Sequence, residues 1–308
     1  MSTPPVALND RPCYLNGAWQ SLGTTQVSVL DRGFLFGDGI HEALAVHALR
    51  LFRFDEHMAR LEHALAVARI PNPLDRAGWL ALLRELANRV AEHEQRLHIH
   101  VTRGQALQAH DLHPRLVEGL SPHVFLMSEP ISAPSAEMRH HGVGCITAPD
   151  FRWERDDIGS TSLLGHFMAH QLAQDQSAFE TILLRDHGHG RVDVTGGAIS
   201  DVWIVLEDAL LGGPTSGHRS GDAPVELLRE WAENVGIACH ARPITATELR
   251  SASEILLSQP SFELLAVTRL DGEAVGHGTG RGRPGPVYAR LAQAYQQARI
   301  EQSLNLAP

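Results

Sequence analysis

The 308-residue chain contains no lysine; each of its 26 basic residues is an arginine. No side chain can therefore offer an ε-amino group as a nucleophile or as a covalent anchor for an aldehyde. Cysteine is almost as scarce. Cys13, Cys145 and Cys239 are an odd, widely spaced set without metal-ligand spacing, which excludes a disulfide framework and fits reduced thiols in a cytoplasm. Long apolar runs are missing, so no membrane span is expected, and the first residues lack the basic and apolar regions of a signal peptide. Positive charge is also short. The formal net charge of −10 argues against nucleic acid or an anionic membrane as the main partner. Histidine, by contrast, is abundant at 19 residues. The plain explanation is compositional drift that fills polar surface sites with arginine and histidine.

A chain of this length supports two domains, each with its own core. Pro12–Trp19 reads as a strand and tight turn, with Asn16-Gly17 supplying positive φ at little cost. Val27–Leu30 is expected as a strand, and Leu44–Phe54 as a hairpin. Asp55 is expected to cap a helix through Ala68, where Met58, Leu61, Leu65 and Ala68 recur at helical spacing. A second helix is expected over Arg76–His93. Strand alternation over Arg96–Gly104 places His98 and His100 on one face. Glu129–Ser135, with two prolines among small polar residues, is the best boundary. Strands and helices then alternate to a last helix over Pro286–Gln302. The fold class is α/β (α+β), divided into a smaller N-terminal α+β domain over 1–130 and a larger C-terminal domain over 131–308.

Two stretches carry chemistry. Asp31-Arg-Gly-Phe-Leu-Phe-Gly-Asp-Gly-Ile-His41-Glu42 packs three glycines into seven positions, a chain held where side chains would clash. The second is Asp157-Ile-Gly159-Ser-Thr-Ser-Leu-Leu-Gly-His166. Together these segments resemble the Asp-Arg-Gly-Phe-x-Phe-Gly-Asp-Gly-x-Tyr-Glu and Asp-Ile-Lys-Ser-Leu-Asn-Leu-Leu-Gly-Asn motifs of the fold-type IV (class IV) aminotransferases. Within that family the D-amino-acid transaminases are the nearest match. The likeness runs in order through nearly the whole chain. It implies the two-domain class IV fold, a cleft between the domains and a homodimer.

The same resemblance implies a pyridoxal phosphate (PLP) site, and residue by residue that site is depleted. The Schiff-base lysine is replaced by Gly159. In the Thr-Glu-Gly-x-x-x-Asn segment that holds the pyridine nitrogen, the chain has Thr195-Gly196-Gly197-Ala-Ile-Ser-Asp201, so the glutamate is Gly196. The phosphate-binding Gly-Ile-Thr and Thr-Ser-Thr segments read Asp222-Ala-Pro224 and Ser258-Gln-Pro260, in which each proline removes a backbone donor. Arg60 alone matches a phosphate anchor. His41 stands where the D-amino-acid enzymes carry a substrate-facing tyrosine. The Arg-Asp-His stretch has lost its arginine in Ala109-His110-Asp111.

From these losses no cofactor is expected, and covalent PLP least of all. The chain is expected to be an enzyme that acts without PLP on a small anionic metabolite in the former cofactor cleft. Histidine suits acid–base work near neutral pH, so His41, His98, His100 and His166 are the candidate catalytic residues. Arg60, Arg103, Gly159, Gly196 and Asp201 are the candidates for contact with the substrate. Two alternatives stand beside this: a non-catalytic ligand-binding pseudoenzyme, and a D-amino-acid or branched-chain-type transaminase using non-covalently bound PLP or pyridoxamine phosphate. His166 and His170 are four apart on an expected helix, a spacing that can share an ion. They lack an accompanying glutamate, and no metal ligand is assigned. Expected partners are a small anionic substrate and a second copy of the chain, with no nucleic acid and no membrane; the expected location is cytoplasmic.

Overall fold

A computed structural model describes residues 8–105, 119–131, 133–155, 158–212, 225–259 and 263–307. The chain forms two compact units. The first takes in Met1–Ile131, Ile158–Ser162 and Arg299–Pro308, and the second Ser132–Asp157 and Leu163–Ala298.

In the first unit, β1 (Pro12–Leu15) and β2 (Ala18–Ser21) form a hairpin about Asn16 and Gly17, both at positive φ. The expected strand at Val27–Leu30 does not form. Ser28 turns the chain instead, its hydroxyl accepting from Leu30 N–H at 3.1 Å and its carbonyl from Asp31 N–H at 3.0 Å, while Val27 and Val29 face solvent. Asp31, buried, then caps the short helix α1 (Arg32–Phe36) by accepting from Gly33 N–H at 2.7 Å. Gly37, at φ +64, closes that helix in the left-handed region.

β3 (Gly39–His47) and β4 (Arg50–Phe52) follow, then α2 (Phe54–Ala68) and α3 (Arg76–Asn88). Asp55 is not the cap of α2. It lies inside the first turn, Arg53 occupies the cap position at φ +47, and no side chain bonds to the helix start. β5 (Gln95–Thr102) and β6 (His123–Pro130) follow. The seven-stranded sheet has the order last strand–β4–β3–β5–β6–β1–β2, where the last strand is Ser303–Asn305, paired antiparallel with β4.

Period-two patterning makes this sheet two-faced. Leu97, Ile99 and Val101 of β5 are fully buried in one core with Met58, Leu61 and Leu65 of α2 and Trp79, Leu83 and Leu86 of α3. Arg96, His98, His100 and Thr102 alternate with them and are half-buried on the opposite face.

The second unit is built on a ten-stranded mixed sheet. Its elements are α4 (Ala136–His141), β7 (Val143–Pro149), α5 (Leu164–Asp175), β8 (Glu180–Asp186), β9 (Val192–Gly197), β10 (Asp201–Leu206), β11 (Ala209–Gly212) and α6 (Val225–Asn234). They continue with β12 (Cys239–Ala241), β13 (Ile244–Thr245), α7 (Ala246–Ser251), β14 (Glu254–Gln259), β15 (Glu263–Leu270), β16 (Glu273–Ala274) and α8 (Pro286–Glu301). β7 runs parallel to both β8 and β15. Ile182, Val202, Ile204, Ile255, Leu257 and Leu265 supply its core.

Candidate active site

The first unit gathers three of the expected histidines. β3 and β5 pair antiparallel with His41 directly opposite His100, and His98 lies two residues along β5 on the same face. His41 Nε2 is 3.0 Å from His98 Nδ1, and the ring centroids of His41 and His100 are 4.7 Å apart. On the other ring edge, His98 Nε2 meets Glu129 Oε1 at 3.0 Å. The hydrogen bond from His98 holds the Glu129 carboxyl below its ordinary range, helped by Arg96 and against the opposing effect of burial. An ionised Glu129 can only accept, so the proton on His98 sits at Nε2. A neutral His98 then presents a lone pair at Nδ1, which the Nε2–H of His41 fills. Burial, together with the neighbouring His41 and His98, pushes the His100 imidazole down to about 3, so it is neutral at physiological pH.

Arg60, on α2, is set by two buried partners. Its guanidinium donates to Glu42 Oε1 at 2.6 Å and approaches His57 Nδ1 at 2.8 Å, leaving 28% of its side chain exposed. Burial alone would raise the Glu42 carboxyl; the Arg60 charge and the His57 hydrogen bond outweigh it and hold the group at about 2. Arg103 has a different position from the one expected of a substrate contact. It forks onto Asp38 at 2.8 and 3.0 Å and donates to the carbonyls of Arg69 and Ala68, pinning the end of α2 to the glycine-rich turn.

Gly159 lies beside the start of β3. Its carbonyl accepts from His41 N–H at 2.7 Å, and Ser160 bridges to Ile40. At φ +46, a Cβ on residue 159 would fall 2.8 Å from the His41 carbonyl oxygen. The backbone therefore approaches as closely as only glycine allows.

The remaining candidates belong to the second unit. His166, on α5, donates from Nδ1 to the Ala198 carbonyl at 2.8 Å. Arg152 donates to the Gly197 carbonyl at 3.0 Å and is ion-paired with the buried Asp150. Gly196 is the last but one residue of β9, at φ +133, and carries no side chain toward any ligand. Asp201 starts β10, buried, opposite Ser258. The turn between these strands hangs on Glu180, a fully buried carboxylate that accepts from Ala198 N–H, Ile199 N–H and the Ser200 hydroxyl at 3.1, 3.3 and 2.9 Å. His170 Nδ1 is 3.9 Å from Glu180, so the His166 and His170 pair is divided between a carbonyl and a carboxylate. The stretch around His110, the segment 222–224 and Pro260 lie outside the described residues, whereas Ser258 and Gln259 are buried in β14.

Sequence reasoning overlooked Glu42, Glu129, Glu180 and Arg152. Glu42 and Glu129 were the more accessible of these. Glu42 follows His41, and Glu129 lies in the strand after the His98 strand, where an acid near a histidine pair is the expected partner.

Residues 39–270 match the amino-transferase class IV family. The chain is 33% identical over 289 residues to the D-alanine aminotransferase of Bacillus licheniformis, covering 94% of this chain and 97% of that protein. It is 29% identical to the D-alanine aminotransferase of Staphylococcus aureus strain MW2, over 92% and 96% of the two chains. The protein belongs to the class IV aminotransferase family. Its fold is that of a T.th. branched-chain amino acid aminotransferase solved with pyridoxamine 5′-phosphate (TM-score 0.83, 18% identity, 98% and 100% of the chains). The branched-chain amino acid aminotransferase from Escherichia coli shares it as well (TM-score 0.78, 19% identity, 93% of each).

These findings confirm the expected fold class and family, and they overturn one expectation. The absence of any cofactor does not stand. The relatives are aminotransferases along almost their full length, and a solved neighbour of the same fold holds a vitamin B6 coenzyme. The expectation gave the lost lysine, glutamate and phosphate-segment donors more weight than the retained anchor, Arg60, and the full-length likeness to the aminotransferases. Among the described residues, no helix is long and apolar enough to cross a membrane.

Proposed function

We propose that this protein acts on a small carboxylate-bearing metabolite of amino-acid or keto-acid type and binds pyridoxal or pyridoxamine 5′-phosphate through its phosphate rather than through a lysine. The fit of such a coenzyme to the residues is uneven. Position 159 has neither an amine nor room for a Cβ on its present backbone, and no lysine exists elsewhere. Position 196 offers no carboxylate to a ring nitrogen. Arg60, in contrast, is a guanidinium held rigid by Glu42 and still partly exposed, which suits an anion. That pair is the observation on which the reading rests.

When bound, the coenzyme supplies an electron-accepting ring and an exchangeable amino group. The chain's own residues supply position and protons. Arg60 fixes an anionic group. His41, carried on the His98–Glu129 chain, keeps its proton at Nε2 and an acceptor at Nδ1. His100, neutral, accepts or donates a hydrogen bond without repelling a cation. A homodimer and a reducing, cytoplasmic setting for the three thiols belong to the same proposal.

The test uses the purified full chain. Either coenzyme form should bind with a change in its visible absorbance, leave on gel filtration, and add no mass to the protein after borohydride. Arg60→Ala should weaken binding about tenfold or more. If neither form binds at millimolar concentration, the coenzyme proposal fails. The bare positions 159 and 196 favour a second reading, a ligand-binding protein without turnover. Coenzyme binding with no exchange of amino groups across a panel of D- and L-amino acids and keto acids would select it.

A further inference from the structure

We propose that His41, His98 and His100 form a three-histidine site for a divalent transition-metal ion, with Glu129 as the carboxylate that orients His98. It draws on the same His41 and His100 as the coenzyme proposal but does not depend on it, since its test reads metal binding alone.

The geometry carries it. One coordinating nitrogen from each of the three half-buried histidines lies within 4.8 Å of the other two. All three side chains project from adjacent strands whose register is fixed by unbroken pairing from Gly39–Thr102 to Val46–Gln95, so their backbones are held in place without an ion. On the opposite face of the same strands Leu44, Val46, Leu97, Ile99 and Val101 are buried in one apolar core, which makes the histidine face rigid. In a tetrahedral site with metal–nitrogen bonds of about 2.0–2.1 Å, ligand nitrogens sit about 3.3 Å apart. His41 Nε2 and His98 Nδ1, at 3.0 Å, already match that edge. The longest edge is at most about 1.5 Å too wide, a gap that an imidazole closes by turning about its Cβ–Cγ bond, the broad torsion of histidine.

The protonation of His98 is also the one a metal needs. Glu129 holds the His98 proton at Nε2, leaving Nδ1 as a lone pair aimed at His41. A ligating histidine typically makes this second bond to a carboxylate, which fixes its tautomer and raises its basicity. The ion would take the place of the proton between His41 and His98; His41 stays a neutral imidazole by carrying its proton at Nδ1 instead, which frees the Nε2 lone pair for the metal. An all-imidazole set suits zinc, copper, iron or nickel. Three protein ligands leave one coordination position open for a water or a carboxylate.

The experiment titrates the chelator-stripped full chain with zinc chloride by calorimetry, and with cobalt(II) by visible absorption. One equivalent should bind, with an intense tetrahedral cobalt spectrum. His41→Ala, His98→Ala and His100→Ala should each abolish that equivalent, and Glu129→Gln should weaken it about ten- to a hundredfold. His187→Ala, in the His187-Gly-His189 turn, should leave it unchanged. Far-UV circular dichroism reports whether each variant folds. If the alanine variants do not, imidazole 15N shifts of the wild-type chain on adding zinc should move for these three residues. Failure to bind one equivalent, binding that survives all three substitutions, loss of binding in His187→Ala, or shifts at other histidines overturns the proposal.

Discussion

The peptide groups of His41 and Gly159 are joined by one hydrogen bond and pressed together at a second point: the carbonyl of Gly159 accepts the His41 amide at 2.7 Å, and the His41 carbonyl oxygen stands 2.8 Å from where a Cβ on residue 159 would be. The substitution that removes the family's lysine is thus accompanied by a backbone that excludes any side chain. Gly159→Ala should destabilise the protein by about 1–2 kcal/mol, from left-handed strain plus the clash. Urea unfolding measures it, and a neutral result would mean that the backbone does not hold this approach.

Acid should unfold the protein partly through Glu42. Its carboxyl sits at about 2 in the folded chain against an ordinary 4.5. The stability it contributes is complete above pH 4.5 and is lost as pH falls toward 2. Glu42→Gln should be less stable at neutral pH and show a flatter dependence across that window. An unchanged slope in urea midpoints against pH would count against the Glu42–Arg60 pair.

His100 behaves in the same direction for the opposite chemical reason. Its folded value of about 3 lies below the ordinary 6.5, so between those values the unfolded chain takes up a proton that the folded chain refuses. Stability should fall as pH drops from 6.5 toward 3, measured with a chelator present, and His100→Gln should remove that share of the loss. Imidazole NMR should show His100 neutral at about pH 5; a titration midpoint near 6.5 would contradict it.

Glu180 holds three donors of the 198–200 turn from a fully buried position. Glu180→Gln exchanges an acceptor-only group for one whose amide must face a donor. The cost should be about 2–3 kcal/mol in urea unfolding. His166, bonded to the Ala198 carbonyl on the same turn, should shift its imidazole resonances in the variant.

Much of the fold was legible because its signals are local. The Asn16-Gly17 turn, the alternation of β5 and the helical spacing of Met58, Leu61 and Leu65 each depend on neighbouring residues only, and all three appear in the structure. Val27–Leu30 failed because β-propensity there yields to the Ser28 turn, and the valines stay exposed rather than packing into a core. In the candidate site, the shared face of His98 and His100 followed from strand period. Their meeting with His41 did not, since it depends on the register of two strands separated by two helices. Arg103 was a candidate substrate contact; its bonds to Asp38 and to the carbonyls that end α2 could not be read from its neighbours in the sequence. Pairings over long sequence distances were the illegible part.

The last strand, Ser303–Asn305, is the outer partner of β4, and Leu306 beyond it is fully buried in the first unit's core. During translation the unit that is made first is therefore finished last. Until residue 303 has left the ribosome, Arg50–Phe52 remains a bare sheet edge beside an unfilled hole, a surface inviting association with other nascent chains.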